Sequence, residues 1–214
     1  MQEPGVRAPR ADAERNRHRV LAAAADVFAE RGVTATLNDV ARAAGVGVGT
    51  VYRKFPDKEA VLDALFEDKV TALVGLADEA AAVDDAGAAV RGLLLAVMEQ
   101  RATDRGLDAV LAAPGRSARF TDRLGRQFLP AVEQLVTRAV EAGELRPGFC
   151  AQEVCLLGHM VGKLADITRS VDPEAWRRYA QLLVDGTRPS AATRPLSPAP
   201  LSFTDVAAAL GRAG

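Results

Sequence analysis

Apolar positions recur at helical spacing along nearly the whole chain. From about Asp12 to Arg31 they form one stripe, made of Val20, Leu21, Ala24, Val27 and Phe28. A second stripe of four residues follows Thr36, and its members are Leu37, Val40, Ala41 and Ala44. No segment favours a strand over a helix. The pattern therefore predicts an all-α protein.

Glycine, proline and capping residues divide the first part of the chain into short helices. Gly32 and Gly45 end the first two helices, and Thr36 with Asp39 forms a weak capping box at the start of the second. A third helix is expected over about 48–55. Asp57 caps a fourth helix, whose apolar stripe is Leu62, Leu65, Phe66, Val70 and Leu73.

Longer helices are expected in the rest of the chain. One contains Val90, Leu93, Leu94, Val97 and Met98. Another extends from Phe120 to about Ala142, with a kink at Pro130. The segment 151–168 is apolar on most sides. Asp172 is expected to cap the next helix, and Thr204 a last short one ending near Leu210.

Four regions follow from this pattern. Residues 1–12 are expected to be a flexible arm, and residues 13–58 a small helix-turn-helix domain. Residues 59–187 are expected to form a larger helical domain for ligand binding and dimerisation. Residues 188–214 are expected to be a proline-rich tail with a possible short terminal helix.

Composition narrows the class of protein. Of 214 residues 49% are hydrophobic, enough for a folded core. Residues 1–58 carry a net charge of +3 and the remainder −4, which weakly indicates an anionic partner for the first segment. No apolar run approaches the ~18 residues of a membrane helix and no signal peptide is recognised, so we expect a cytoplasmic protein without a membrane partner. Cys150 and Cys155 are too few for a disulfide framework or a cysteine-rich zinc site, and no cofactor is expected.

The segment LNDVARAAGVGVGTVYRKF matches a helix-turn-helix. Val51 and Phe55 face inward at i and i+4, so the opposite side of the second helix would enter a DNA major groove. That side consists of Val48, Gly49, Tyr52 and Arg53. Arg53 can donate two hydrogen bonds to guanine, and Val48 can contact a thymine methyl group. An ordinary helical hairpin is the alternative interpretation of this segment.

Residues 15–70 resemble the DNA-binding domain of the TetR family of bacterial transcriptional regulators. The matching pieces are VLAAAADVFAERGV, TLNDVARAAGV, GTVYRKF and DKEAVLDAL, and the AGELRPG turn also resembles the family. Residues 52–70 are similar to the SbtR-like branch. The resemblance implies a homodimeric repressor that binds a palindromic operator and responds to a small-molecule effector.

The resemblance also implies roles for individual residues. Thr36 and Asn38 resemble residues that touch phosphate and base at the start of the second helix, and Lys58 resembles a phosphate-binding lysine. The groove-entering set corresponds to Val48, Gly49, Thr50, Tyr52, Arg53 and Lys54. Gly47 stands where the family often has a serine cap, so the reading helix lacks a side-chain cap.

Candidate effector-binding residues are apolar or polar groups at helical spacing in the larger domain. They are Met98, Arg101, Phe120, Phe128, His159, Met160 and Trp176. Most such residues in other proteins are ordinary core, and Gln100 and Gln127 are further polar candidates nearby. Gly158 and Gly162 form a small-xxx-small pair, which we interpret as a close helix contact across a dimer.

Two other classes of protein stay open at this point. One is a helical enzyme with its site in the C-terminal bundle, although no catalytic pair, phosphate-cradling loop or acidic metal motif is present, so we expect no enzyme. The other is a regulator that acts through protein contacts without binding an operator.

Overall fold

The computed structural model describes residues 9–104, 116–190, 194 and 196–210, and within these ranges every regular element is helical. The α-helices in these ranges are α1 (Pro9–Arg31), α2 (Leu37–Ala44), α3 (Val48–Lys54), α4 (Lys58–Ala81), α5 (Ala86–Thr103), α6 (Arg116–Gln127), α7 (Leu129–Glu141), α8 (Ala151–Thr168), α9 (Trp176–Asp185) and α10 (Phe203–Leu210). A short 3₁₀ helix, Gly32–Thr34, follows α1.

The described residues divide into two compact units. The first ends at Asp68 and the second begins at Lys69, so the boundary falls within α4. None of the described helices is long and apolar enough to cross a lipid bilayer.

The first unit is built on α1, α2 and α3. Helix α2 packs against both of its neighbours in sequence. The predicted capping box is confirmed: Asp39 N donates to Thr36 Oγ1, and Thr36 N donates to Asp39 Oδ2. Gly45 ends α2 with a φ of 61°, a left-handed conformation that glycine adopts without a Cβ clash. The turn between α2 and α3 therefore follows from local sequence.

Helix α5 is the centre of the second unit. It packs against α7, α8 and α9, and α8 also packs against α7 and α9. Its predicted apolar stripe is buried, Leu94 and Met98 completely. Helix α10 returns to contact α6 and α8. The predicted all-α fold, with a helix-turn-helix unit followed by a larger helical unit, is confirmed.

Four predicted boundaries are wrong. Helix α1 includes residues 9–12, so the last four residues of the expected flexible arm are helical, while residues 1–8 of that arm lie outside the described residues. The expected helix from Phe120 begins earlier, at Arg116, and is interrupted at Phe128, two residues before Pro130. Phe128 keeps a right-handed helical backbone, its N–H donates to the Leu124 carbonyl and its carbonyl accepts from the Val132 N–H, which agrees with the kink expected at Pro130.

The other two corrections concern capping. Residues 173–175 form turns, and α9 begins at Trp176. The backbone hydrogen bonds from Ala175 N to the Asp172 carbonyl and from Arg177 N to the Glu174 carbonyl join residues three apart, whereas an α-helix joins residues four apart. The cap of α10 is Ser202 rather than Thr204, since Ser202 Oγ accepts from Asp205 N at 3.2 Å.

The glycine pair of α8 packs within its own chain. A Cβ on Gly158 would lie 2.7 Å from Val97 Cγ1, and one on Gly162 would lie 3.2 Å from the Arg101 carbonyl oxygen. Both neighbours belong to α5. The interpretation of the pair as a dimer contact is therefore wrong: these glycines let α8 approach α5.

Candidate nucleic-acid interface

Helix α3 has one buried side and one exposed side. Val51 is fully buried, and Phe55 just after the helix is 5% exposed. Val48 and Tyr52 are 42% and 47% exposed, and Gly49 and Arg53 are exposed with them. Thr50 and Lys54 are half-buried. The predicted reading set thus separates into a protruding group of four and two residues at its edges.

Thr36 and Asn38 lie at the start of α2. Asn38 is exposed. The Thr36 hydroxyl donates to Asp39 Oδ2 at 2.7 Å, and the Thr36 N–H donates to the same oxygen at 3.1 Å. A phosphate can only accept hydrogen bonds, so Thr36 would have to release Asp39 before it could bind one. The phosphate contact of Thr36 stays a prediction.

Asp39 organises the charges around this helix start. Its Oδ1 lies 2.8 Å from Arg31 Nη1 and 3.4 Å from Arg42 Nη1. The Thr36 side-chain hydrogen bond lowers the pKa of Asp39 most, assisted by the Thr36 N–H and the two arginines. Asp39 therefore holds the guanidinium groups of Arg31 and Arg42 near the start of α2, where Asn38 is exposed. The cap was predictable from the spacing of Thr36 and Asp39, whereas no local pattern indicated the contact between Arg31 and Asp39, which are eight residues apart.

Lys58 is engaged with the end of α1. Its Nζ donates to the Gly32 carbonyl at 3.5 Å and lies 5.3 Å from the centre of the Phe28 ring. The lysine is half-buried in this position. A contact between Lys58 and a DNA phosphate stays a prediction. The contacts with Gly32 and Phe28 also stabilise the packing of Lys58 against the end of α1.

The candidate effector residues of the second unit fall into three groups. Met98, Phe120, Phe128 and Trp176 are buried. Arg101 and His159 are in contact, with Arg101 Nη2 lying 3.3 Å from His159 Nδ1. Guanidinium only donates, so Nδ1 accepts and the proton of a neutral His159 is on Nε2. Met160 is 56% exposed, on a different side of α8 from the buried residues.

Gln100, beside Arg101, has a buried side-chain oxygen. Its Oε1 has no hydrogen-bond partner among the described residues. An unpaired buried acceptor is costly, and it is a place where a bound molecule could donate a hydrogen bond. Gln127 is exposed, and its Oε1 accepts from Arg123 Nε at 3.4 Å. In the described ranges no three His, Cys, Asp or Glu side chains are grouped to hold a metal ion.

Comparison with known proteins agrees with this architecture. The family described as bacterial regulatory proteins, tetR family, matches residues 20–65, and the SbtR-like transcriptional regulator C-terminal domain matches residues 85–189. The HTH-type regulator SrpR of Pseudomonas putida is 32% identical over 181 residues, which span 77% of this chain and 81% of SrpR.

Two solved structures are similar over most of the chain. The TetR regulator SCO0520 of Streptomyces coelicolor is 30% identical with a TM-score of 0.60, covering 82% of this chain and 99% of that one. A TetR regulatory protein of Mycobacterium vanbaalenii is 33% identical with a TM-score of 0.56, covering 84% and 99%.

The fold and the exposed side of α3 define a helix-turn-helix transcriptional regulator. The chain belongs to the TetR family of bacterial transcriptional regulators, and its C-terminal domain is of the SbtR-like type.

Proposed function

We propose that this regulator is a repressor that binds a palindromic operator as a homodimer and responds to a small-molecule effector. The observation that carries the DNA-binding part is the two-sided character of α3. Val51 anchors one side in the core, while Tyr52 and Arg53 protrude from the other. An exposed helix that presents a guanidinium and a phenol suits a major groove.

The DNA-binding part is tested with Arg53→Ala. We expect operator affinity to fall by about 1–3 kcal/mol, roughly five- to 150-fold, with relaxed preference at one base pair. The assay is a gel shift with the DNA upstream of the protein's own coding region. Arg126→Ala is the matched control, because it removes the same charge from an exposed position on α6. Equal binding by Arg53→Ala and the wild type would show that the assigned reading side is wrong.

The homodimer is supported by an exposed apolar surface on α8 and α9, two helices that pack together. Met160 and Ile167 on α8 are 56% and 76% exposed, and Tyr179 and Leu182 on α9 are 46% and 59% exposed. Several exposed apolar side chains on two packed helices are typical of an interaction surface, and a second copy would cover them symmetrically. We assign Met160 to this surface rather than to an effector site.

Ile167→Asp tests this surface. We expect the wild type to sediment as a dimer at micromolar concentration and Ile167→Asp as a monomer, because the aspartate would be buried without a partner. Leu95→Asp on α5 is the control, since Leu95 is 36% exposed and lies on neither helix. A monomeric wild type would refute the proposal.

The effector site is proposed in the second unit, around the buried side chains and the Arg101–His159 pair. Gln100 Oε1 supports a ligand that carries a hydrogen-bond donor, because the oxygen is buried and unpaired. A thermal-shift screen identifies such a compound, since binding at 100 times Kd stabilises the native state by about 2.7 kcal/mol. A compound that stabilises the protein and releases the operator supports repression relieved by an effector.

A further inference from the structure

The exposed side of the first turn of α3 carries no hydrogen-bonding side chain, since Thr50 in that turn is half-buried. Val48 opens the helix and is 42% exposed. Gly49 follows it and is also exposed. One turn later, at i+4 from each, lie Tyr52 and Arg53. The reading side of the helix is therefore apolar at its beginning and polar at its end.

Among the described residues, none occupies the space that a side chain at position 49 would need. A Cβ built on Gly49 would meet no heavy atom within 4 Å, and its φ is not in the left-handed region. Glycine inside a helix is less stable than alanine, so the fold alone would favour alanine here. Glycine is used in such places where another molecule approaches the backbone closely.

The major groove offers one apolar group to such a surface. Each base pair displays hydrogen-bond donors and acceptors there, and thymine alone adds a methyl group at C5. The exposed isopropyl group of Val48 can bury that methyl, and the bare backbone at Gly49 leaves room for the base edge.

We propose that Val48 and Gly49 form a notch that receives the 5-methyl group of one thymine in each operator half-site. This inference rests on the proposed operator binding through α3 and adds a base preference to it. The notch selects thymine by its methyl group rather than by a hydrogen bond.

Deoxyuridine scanning tests the notch with the full-length protein. The probe is a duplex selected by the wild type from a random-sequence pool, in which each thymine is replaced in turn by deoxyuridine. This change removes only the methyl group. At one thymine per half-site we expect affinity to fall about fourfold, the value of one buried carbon, and about 15-fold when both half-sites are changed. Val48→Ala should bind the thymine and uracil duplexes nearly equally.

Gly49→Ala tests the close approach of the backbone. The free variant should melt at or above the wild-type temperature, because the new methyl group has open space. Its affinity for the selected duplex should nevertheless fall at least tenfold. The control is Gly92→Ala, a helical glycine on α5 with equally open surroundings, which should bind DNA as the wild type does.

Three results would overturn the inference. Binding that is insensitive to every uracil substitution excludes a methyl contact. A uracil penalty that persists unchanged in Val48→Ala assigns the methyl contact to another residue, such as Tyr52. Unaltered binding by Gly49→Ala excludes the close approach. Failure of the wild type to select any duplex would instead refute the proposed function itself.

Discussion

Replacing Gly158 by alanine tests whether the α5–α8 contact holds the second unit together. The added Cβ would lie 2.7 Å from Val97 Cγ1 and 3.6 Å from Arg101 Cγ. Carbon atoms pack favourably at about 3.5–4.0 Å, so roughly 1 Å of extra separation is needed at Val97. Val97 is 3% exposed and, as a β-branched residue in a helix, has one strongly preferred rotamer. The helices must therefore separate or the valine must leave its rotamer.

Two opposing effects decide the size of the change. Overpacking of a core costs about 1–3 kcal/mol, while alanine gains about 1 kcal/mol over glycine in a helix. Gly92→Ala isolates the second effect, because a Cβ at Gly92 meets nothing within 4 Å. The difference between the two variants cancels helix propensity and should be about 1–3 kcal/mol.

Thermal unfolding followed by circular dichroism measures this difference. For a chain of this size it corresponds to a Tm about 2–12 °C lower for Gly158→Ala than for Gly92→Ala. Equal Tm values would refute the intrachain packing argument. If Gly158→Ala sediments as a monomer and is as stable as monomeric wild-type protein, Gly158 would instead belong to a dimer interface.

Two further predictions concern the start of α2 and the packing of α6. The hydrogen bonds from Thr36 lower the pKa of Asp39 below its ordinary 3.8, so the stability that this carboxylate adds is present above pH 3.8 and lost as pH falls through the lowered pKa. Melting from pH 2 to 6 should show that loss in the wild type, and Asp39→Asn should remove it. The Phe203 ring packs against Gly125, and a Cβ built on Gly125 would lie only 2.8 Å from Phe203 Cε1. Replacing Phe203 by alanine should therefore loosen the packing of α6. Hydrogen exchange should then accelerate in α6 but not in α5, and unchanged rates in α6 would contradict the packing argument.

Features that depend on residues close in sequence were predictable from the sequence. Thr36 and Asp39 are three residues apart, and the capping box between them forms as expected. The same holds for Gly45 at the end of α2 and for Asp57, whose Oδ1 accepts from Ala60 N at 2.8 Å. Helical periodicity likewise identified the buried side of α2, because side chains three and four residues apart share one side of a helix.

The sequence was less informative where two local conformations of the backbone have similar free energies. Pro130 predicted a distortion near Phe128, but it did not indicate that the helix before it already begins at Arg116. Asp172 with Pro173 matches the pattern of a helix start, yet regular α-helix begins only at Trp176. The outcome depends on how the following residues pack, since Trp176 is 3% exposed and anchors α9 from its first turn.

The helical fold, the helix-turn-helix and the exposed side of α3 were predictable from the sequence, because each follows from short-range spacing and from residues of known conformational preference. The side of α8 that packs against each neighbouring helix depends on the tertiary structure. That helix is apolar on most sides, so its periodicity does not separate Gly158, which faces α5, from Met160, which is exposed. Hydrophobicity favours burial of every such side but does not specify the surface that provides it, since the effect is non-directional. Close packing, in which only a residue without a side chain fits against Val97, makes that choice.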